Sequence, residues 1–219
     1  NEEDSVGTVV RRAPAEVCGR PVRVLVVDDG STDRTANRAR AAGAEVLSCE
    51  KNRGLGHAVR HGLSAAAARG APAIAFCDAD GEYGPEELER LVAPVLEGAA
   101  DYVVGSRFDG EIHRMRPHRK LGNIVLTRLL SFVARRRIGD GQSGYRAFSL
   151  AAARDAEVIH DYNYAQVLTL DLLAKGYRYL EVPISYSFRE KGKSFVKAGR
   201  YMRNVLPAIH AELNSPVAR

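Results

Sequence analysis

The sequence predicts an α/β fold with a mainly parallel central sheet flanked by helices, and three observations carry that prediction. Short apolar runs alternate with helical repeats through the first half of the chain. Three of these runs end in polar, turn-forming motifs: Asp28-Asp29-Gly30, Asp78-Ala79-Asp80-Gly81 and Gly105-Ser106-Arg107. A length of 219 residues fits one domain over 1–219 and buries a substantial core.

Residues 22–27 are apolar except for Arg23 and read as a strand. Ser31 or Thr32 then caps a helix to about Ala42, with Asp33 near its positive end and Gly43 stopping it. A short strand at 45–48 leads to Asn52-Arg53-Gly54-Leu55-Gly56, a glycine-rich turn that opens a helix through Arg69. The strand at 73–77 runs into the acidic loop, Pro85 begins a helix over 86–97, and a strand at 102–104 follows. The second half is less regular. Leu121, Ile124, Val125, Leu129 and Phe132 recur at helical spacing, a pattern that serves core packing or a membrane-facing surface equally well. A strand at 145–149 and a helix at 164–175 come next. The strand at 179–186 contains Pro183, which favours an edge or a bulge. A last helix at 195–213 carries a basic face.

Cysteine usage and charge narrow the setting. Cys18, Cys49 and Cys77 are odd in number and lack metal-ligand spacing, so free thiols in a reducing compartment are expected. No apolar run is long enough to span a bilayer, and the N-terminus lacks signal-peptide features, so a cytoplasmic location is expected. The net charge of +5 is segregated: residues 112–137 carry +8, residues 189–203 carry +5, and the remainder therefore carries −8. Basic patches of this kind attract phosphates or an anionic membrane surface, and a solvated basic face is the plainer alternative.

The acidic loop carries the chemistry. Asp78 and Asp80 sit two apart at the end of a buried strand, so both point the same way with Ala79 as a small spacer. Carboxylates so placed suit Mg²⁺ or Mn²⁺, which take oxygen ligands and join one or two carboxylates to nucleotide phosphates. Asp78, Asp80 and Glu82 are the candidate metal ligands, although an isolated Asp-x-Asp is often just a solvated loop. Ligands of open α/β sheets bind outside the carboxyl ends of strands, where Asp28-Asp29, Asp78-Ala79-Asp80 and Gly105-Ser106-Arg107 would converge.

Taken in order, Val26-Val27-Asp28-Asp29-Gly30-Ser31-Thr32-Asp33, Asn52-Arg53-Gly54-Leu55-Gly56-His57-Ala58, Asp78-Ala79-Asp80-Gly81-Glu82-Tyr83, Gly105-Ser106-Arg107, Ser143-Gly144-Tyr145-Arg146 and Glu181-Val182-Pro183-Ile184 resemble the motifs of family 2 glycosyltransferases, nearest to dolichyl- or polyprenyl-phosphate sugar synthases. The resemblance implies a GT-A fold, with a nucleotide-binding part over about 1–107 and an acceptor-side part over about 108–219. Asn1-Glu2-Glu3 looks like the tail of the family's first strand motif, the strand itself being absent before Asn1. The resemblance also implies a nucleotide-sugar site at Glu2, Val26, Asp28, Asp78, Ala79, Asp80, Arg107 and Arg189, with Asp80 and Asp140 as the catalytic candidates. Asp140 is expected either to act as a base or to orient the acceptor.

The resemblance implies inverting transfer from a nucleotide-diphosphate sugar, with a polyprenyl phosphate at the cytosolic membrane face as the expected acceptor and no nucleic-acid partner. Two departures leave a soluble or glycan hydroxyl acceptor open: Phe195 replaces an expected lysine, and Gln166-Val167 stands where relatives carry an acid, with Asp171 a turn later. Asp78-Ala79-Asp80-Gly81 also resembles the nucleophile loop of haloacid-dehalogenase-type phosphatases. In those enzymes the motif lies near the N-terminus and is followed by Thr or Val, whereas here Glu82 follows and two strand-helix units precede it. Gly62 lies too far from Gly54 and Gly56 for a dinucleotide fingerprint. His57, His61, His113, His118, His160 and His210 form no evident ligand set by spacing.

Overall fold

In the computed structural model, residues 1–115, 117–159 and 164–188 are described; Arg189, the basic segment 189–203 and the helix expected at 195–213 lie outside them. Helix α1 (Val6–Arg12) opens the chain, with Val6 and Val10 buried. A hairpin of β1 (Glu16–Val17) and β2 (Arg20–Pro21) follows, turned by Cys18 and Gly19 at positive φ. Neither element was expected, because both are too short to show a period.

Strand β3 (Leu25–Asp28) starts later than the apolar run and includes Asp28 itself. Helix α2 (Thr35–Ala41) also starts later than expected. Asp33 accepts the Thr35 N–H at 2.9 Å, whereas Thr32 bonds with Asn1 instead of capping. Strand β4 (Glu45–Ser48) pairs in parallel with β3, Val26 opposite Val46. Helix α3 (Leu55–Ala68) packs on β3 and also touches β5 (Ala73–Phe76). A 3₁₀ turn at Pro85–Glu87 leads into α4 (Leu88–Leu96), and β6 (Tyr102–Ser106) is buried along its whole length.

After β6 come β7 (Ile112–Arg114), α5 (Pro117–Val133), β8 (Arg146–Ser149), α6 (Leu150–Asp155), α7 (Ala165–Ala174), β9 (Tyr179–Pro183) and β10 (Tyr186–Ser187). The single strand expected at 179–186 is thus two: β9 ends at Pro183, and β10 leaves to pair with β7. Pro183 terminates an edge strand, where its missing N–H breaks no ladder.

The main sheet has the order β5-β8-β6-β9. β8 is antiparallel to both β5 and β6, and β9 is parallel to β6. Three strands therefore run one way, as expected, with β8 the reversed one inserted between β5 and β6. This order puts the carboxyl ends of β5 and β6 and the entry to β8 at one end of the sheet.

The core sits on the helical faces of this sheet. Tyr102, Phe148, Leu168 and Leu172 are fully buried, with the Tyr102 and Phe148 rings stacked at 5.1 Å. Residues 165–172 of α7 are buried on every side, the polar Gln166, Thr169 and Asp171 among them, so this helix lies inside the domain rather than on its surface.

Candidate active site

At the carboxyl end of β5 the chain turns through Asp78-Ala79-Asp80-Gly81, and Asp80 Oδ1 accepts the Glu82 N–H at 3.0 Å. Asp78 is half-buried, and its carboxylate accepts no hydrogen bond among the described residues. Burial, reinforced by the charges of Asp80 and Glu82, lifts its carboxyl to about 7, with Arg107 and Arg146 pulling the other way. A half-buried, like-charged carboxylate group made only of oxygen donors fits a hard divalent cation, and such an ion would relieve the repulsion.

The entry to β8 closes this site. Gly144 lies so near Asp78 that a Cβ there would stand 2.6 Å from Oδ2, and its N–H donates to the Tyr83 hydroxyl at 2.8 Å. Only glycine lets the backbone pass this carboxylate at that distance.

Glu82, expected as a third metal ligand, is placed differently. Its Oε2 accepts the Tyr186 hydroxyl at 2.7 Å, and Oε1 lies 3.6 Å from Arg119 of α5. Asp78, Asp80 and Glu82 do not form a cluster of three ligand atoms; among the described residues that arrangement occurs only at Asp29, Cys49 and His57.

Arg107, one residue past β6, meets Asp140 in a buried pair. Nε donates to Oδ2 at 2.6 Å, Nη2 to Oδ1 at 2.8 Å, and the Arg107 backbone N–H to Oδ2 at 3.1 Å. The Gln142 N–H gives Asp140 a fourth bond at 3.1 Å, which fills the acceptor sites of a carboxylate that is fully buried. Glu181 of β9 fixes the loop in turn, accepting the N–H groups of Gly139 and Asp140 at 2.8 Å. The two residues expected to contact phosphate and acceptor separately are therefore joined to each other.

Asp28 is buried at the tip of β3, and its Oδ1 accepts the Ser31 N–H at 3.1 Å. Gly30 adopts φ +71°, and a Cβ there would meet the Asn52 nitrogen at 2.5 Å, so this turn is seated directly on the glycine-rich loop. Asp29 accepts the N–H groups of Arg53 and Gly54 at 3.0 and 2.8 Å, which fixes the start of α3. The Glu2 N–H donates to Thr35 Oγ1 at 2.7 Å, placing Glu2 beside the start of α2. Val26 and Ala79 pack against the same buried cluster of Val6, Val10, Ala39 and Ala44, which joins the two strand-end loops.

Sequence reasoning overlooked Arg146, Tyr83, Glu181 and Arg119 as site-building groups. Arg146 is fully buried and donates to the carbonyls of Ser143 at 2.9 Å, Gly141 at 3.2 Å and Ala165 at 2.9 Å, holding the 140–144 loop against α7. Three of the four lay inside the quoted motifs, so the signal was present but not its purpose. Asp171, considered as a displaced functional acid, pairs with Lys175 at 2.7 Å and accepts the Glu157 N–H, a helix-stabilising arrangement.

Comparison with known proteins places the chain. The sequence model for glycosyl transferase family 2 matches residues 1–156. The chain is 33% identical to polyprenol monophosphomannose synthase of Mycolicibacterium smegmatis, over 89% of this chain and 77% of that protein. It is 32% identical to a dolichyl-phosphate hexose transferase of Haloferax volcanii, over 86% of this chain and 80% of that protein. It spans only about half of two longer Haloferax volcanii relatives, 55% of one and 45% of the other. In fold it resembles glucosyl-3-phosphoglycerate synthase of Mycobacterium tuberculosis, solved with Mn²⁺, UDP-glucose and phosphoglyceric acid. That match has a TM-score of 0.79 at 22% identity and covers 100% of this chain and 78% of that one.

Proposed function

This chain belongs to glycosyl transferase family 2, and on that premise we propose that it moves a sugar, with inversion, from a nucleotide-diphosphate sugar to a polyprenyl phosphate. The observation that carries the reading is Asp78, a half-buried carboxylate without a hydrogen-bond partner among the described residues, set beside Asp80 at the carboxyl end of β5. Asp28, with the Val26 backbone and Glu2 beside it, takes the base, a carboxylate accepting its N–H groups. Asp78 and Asp80 are the residues that would hold Mg²⁺ or Mn²⁺. Glu82, engaged by Tyr186, adds negative charge without a direct bond. A cation bound there would supply positive charge against the negative charge that develops on a leaving diphosphate.

In the transfer, an acceptor oxygen forms a bond to the anomeric carbon while the bond to the diphosphate oxygen breaks, releasing a nucleoside diphosphate. Arg107 contributes fixed positive charge; Nε and Nη2 serve Asp140, and Nη1 makes no hydrogen bond among the described residues. Asp140 acts as a positioning residue. With its acceptor sites filled it is poorly suited to remove a proton, which favours an acceptor that is already an anion over a hydroxyl. Relatives named for dolichyl-phosphate and polyprenol-phosphate products support the same acceptor class.

A membrane-facing role for α5 fits its surface. Leu121, Val125 and Phe132 are 64%, 55% and 82% exposed on one side, with Arg128 between them and Arg135 to Arg137 beyond. Among the described residues, no helix is long and apolar enough to cross a membrane. A peripheral attachment to anionic lipid through this face is consistent with both facts.

The test is a donor screen with Mn²⁺, read as nucleotide release with and without polyprenyl phosphate. Release that depends on polyprenyl phosphate and is lost in Asp80→Ala, with an unchanged circular dichroism spectrum, is expected. Full turnover in Asp80→Ala would overturn the cation assignment; release driven equally by hydroxyl acceptors would overturn the phosphate acceptor.

A further inference from the structure

Away from the diphosphate loop, the fold gathers a second set of ligating side chains that sequence spacing does not reveal. Asp29 follows β3, Cys49 follows β4, and His57 lies in the first turns of α3; one ligand atom from each lies within 4.8 Å of the others. The three come from separate elements. His57 Nδ1 stands 3.8 Å from Asp29 Oδ1, is shielded from solvent and has no hydrogen-bond partner among the described residues. A shielded imidazole nitrogen without a partner carries a cost that a ligand would remove.

We infer that Asp29, Cys49 and His57 form a binding site for a thiophilic divalent ion of the zinc class, separate from the cation site at Asp78 and Asp80. The donor set decides the metal. One thiolate, one imidazole and one carboxylate suit Zn²⁺, whereas Mg²⁺ and Mn²⁺ prefer oxygen alone. His61, one turn beyond His57 on the same face of α3, brings Nδ1 to 4.0 Å from Cys49 Sγ but stands outside the three-residue group, so a water molecule would complete the tetrahedron.

The geometry is close to what such an ion needs. Tetrahedral zinc with bonds of about 2.0–2.3 Å sets its ligands roughly 3.5 Å apart, so side-chain rotation of about 1 Å closes the site. Asp29 is already fixed from behind by the amides of Arg53 and Gly54, the outer hydrogen bonding that orients a metal-ligating carboxylate. Binding displaces the Cys49 thiol proton to solvent and leaves the metal in the +2 state, so no redox partner is required. The ion would tie β3, β4 and α3 together at the end of the sheet where Asp28 lies.

The test uses the full chain, stripped with chelator and titrated with Co²⁺ alone. One equivalent is expected to bind with a sulfur-to-cobalt charge-transfer band in the near ultraviolet, which stoichiometric Zn²⁺ abolishes. Cys49→Ser should remove the band, His57→Ala should weaken Co²⁺ binding by about 10-fold or more, and Asp80→Asn should leave the band intact. Binding without a sulfur band, or a band that survives Cys49→Ser, overturns the inference. Should Cys49→Ser fail to fold, zinc-loaded wild-type protein is treated with an organomercurial: release of zinc as Cys49 reacts supports the site, and retention refutes it.

Discussion

Arg107 and Asp140 bind one another through three hydrogen bonds of 2.6, 2.8 and 3.1 Å, in a pair that is almost wholly withdrawn from water. The pair joins the end of β6 to the loop before β8, and Glu181 anchors that loop to β9. A guanidinium is thereby held rigid at the end of the sheet where Asp78 lies. On the proposed transfer such rigidity is useful, because a fixed charge needs no reorganisation as a leaving group departs.

Removing one member of such a pair leaves the other buried and uncompensated, which costs about 3–5 kcal/mol. Asp140→Ala and Arg107→Ala should each lower urea-unfolding stability by that order. The double variant should lose markedly less than the sum of the two. Additive losses would show that the two side chains act independently.

Gly144→Ala places a methyl carbon 2.6 Å from Asp78 Oδ2, closer than a carbon and an oxygen can approach without bonding. The Asp78 carboxylate must move, so Mn²⁺-dependent turnover should fall at least about 10-fold while the protein remains folded, since misplacement of about 1 Å at a reacting centre costs up to 100-fold. Measuring turnover against Mn²⁺ concentration checks this: unchanged activation by Mn²⁺ would place the cation elsewhere.

Phe132→Ser combined with Leu121→Ser removes exposed apolar surface from α5 without touching Leu130 or Thr127, which face the interior. Sedimentation with vesicles containing anionic lipid should fall several-fold, and replacement of Arg135, Arg136 and Arg137 by Gln should reduce the same binding in a salt-dependent manner. Equal sedimentation of all these variants and the parent would remove the membrane assignment.

Asp101 supplies a pH dependence of stability. The Arg178 guanidinium donates to both of its oxygens at 2.8 and 3.0 Å and holds its carboxyl below the usual 3.8. Because the folded-state value is the lower one, the pair's stabilisation is present above the unfolded value and is lost as pH falls through the folded value. The difference in urea midpoint between wild type and Arg178→Ala should therefore be widest above about pH 5 and close as pH drops below about 4. A gap that persists undiminished at pH 2 would refute the assignment.

The sequence by itself determined which residues end the strands. Asp28, Asp78 and Arg107 lie at or just past the tips of β3, β5 and β6 because apolar runs give way to turn residues there, a local signal that needs no tertiary knowledge. Helix α7 was legible to within a residue at each end for the same reason. Pairing was not legible. Nothing local announces that β8 inserts antiparallel between β5 and β6, that Asp140 turns its carboxylate onto Arg107 rather than toward an acceptor, or that Glu82 is taken by Tyr186. Those outcomes depend on which buried polar groups find partners across separations of 33 and 104 residues, and a charged group withdrawn from water takes whichever partner the closed fold brings to it. Spacing likewise dismissed His57, because Asp29 and Cys49 reach it only when β3, β4 and α3 come together.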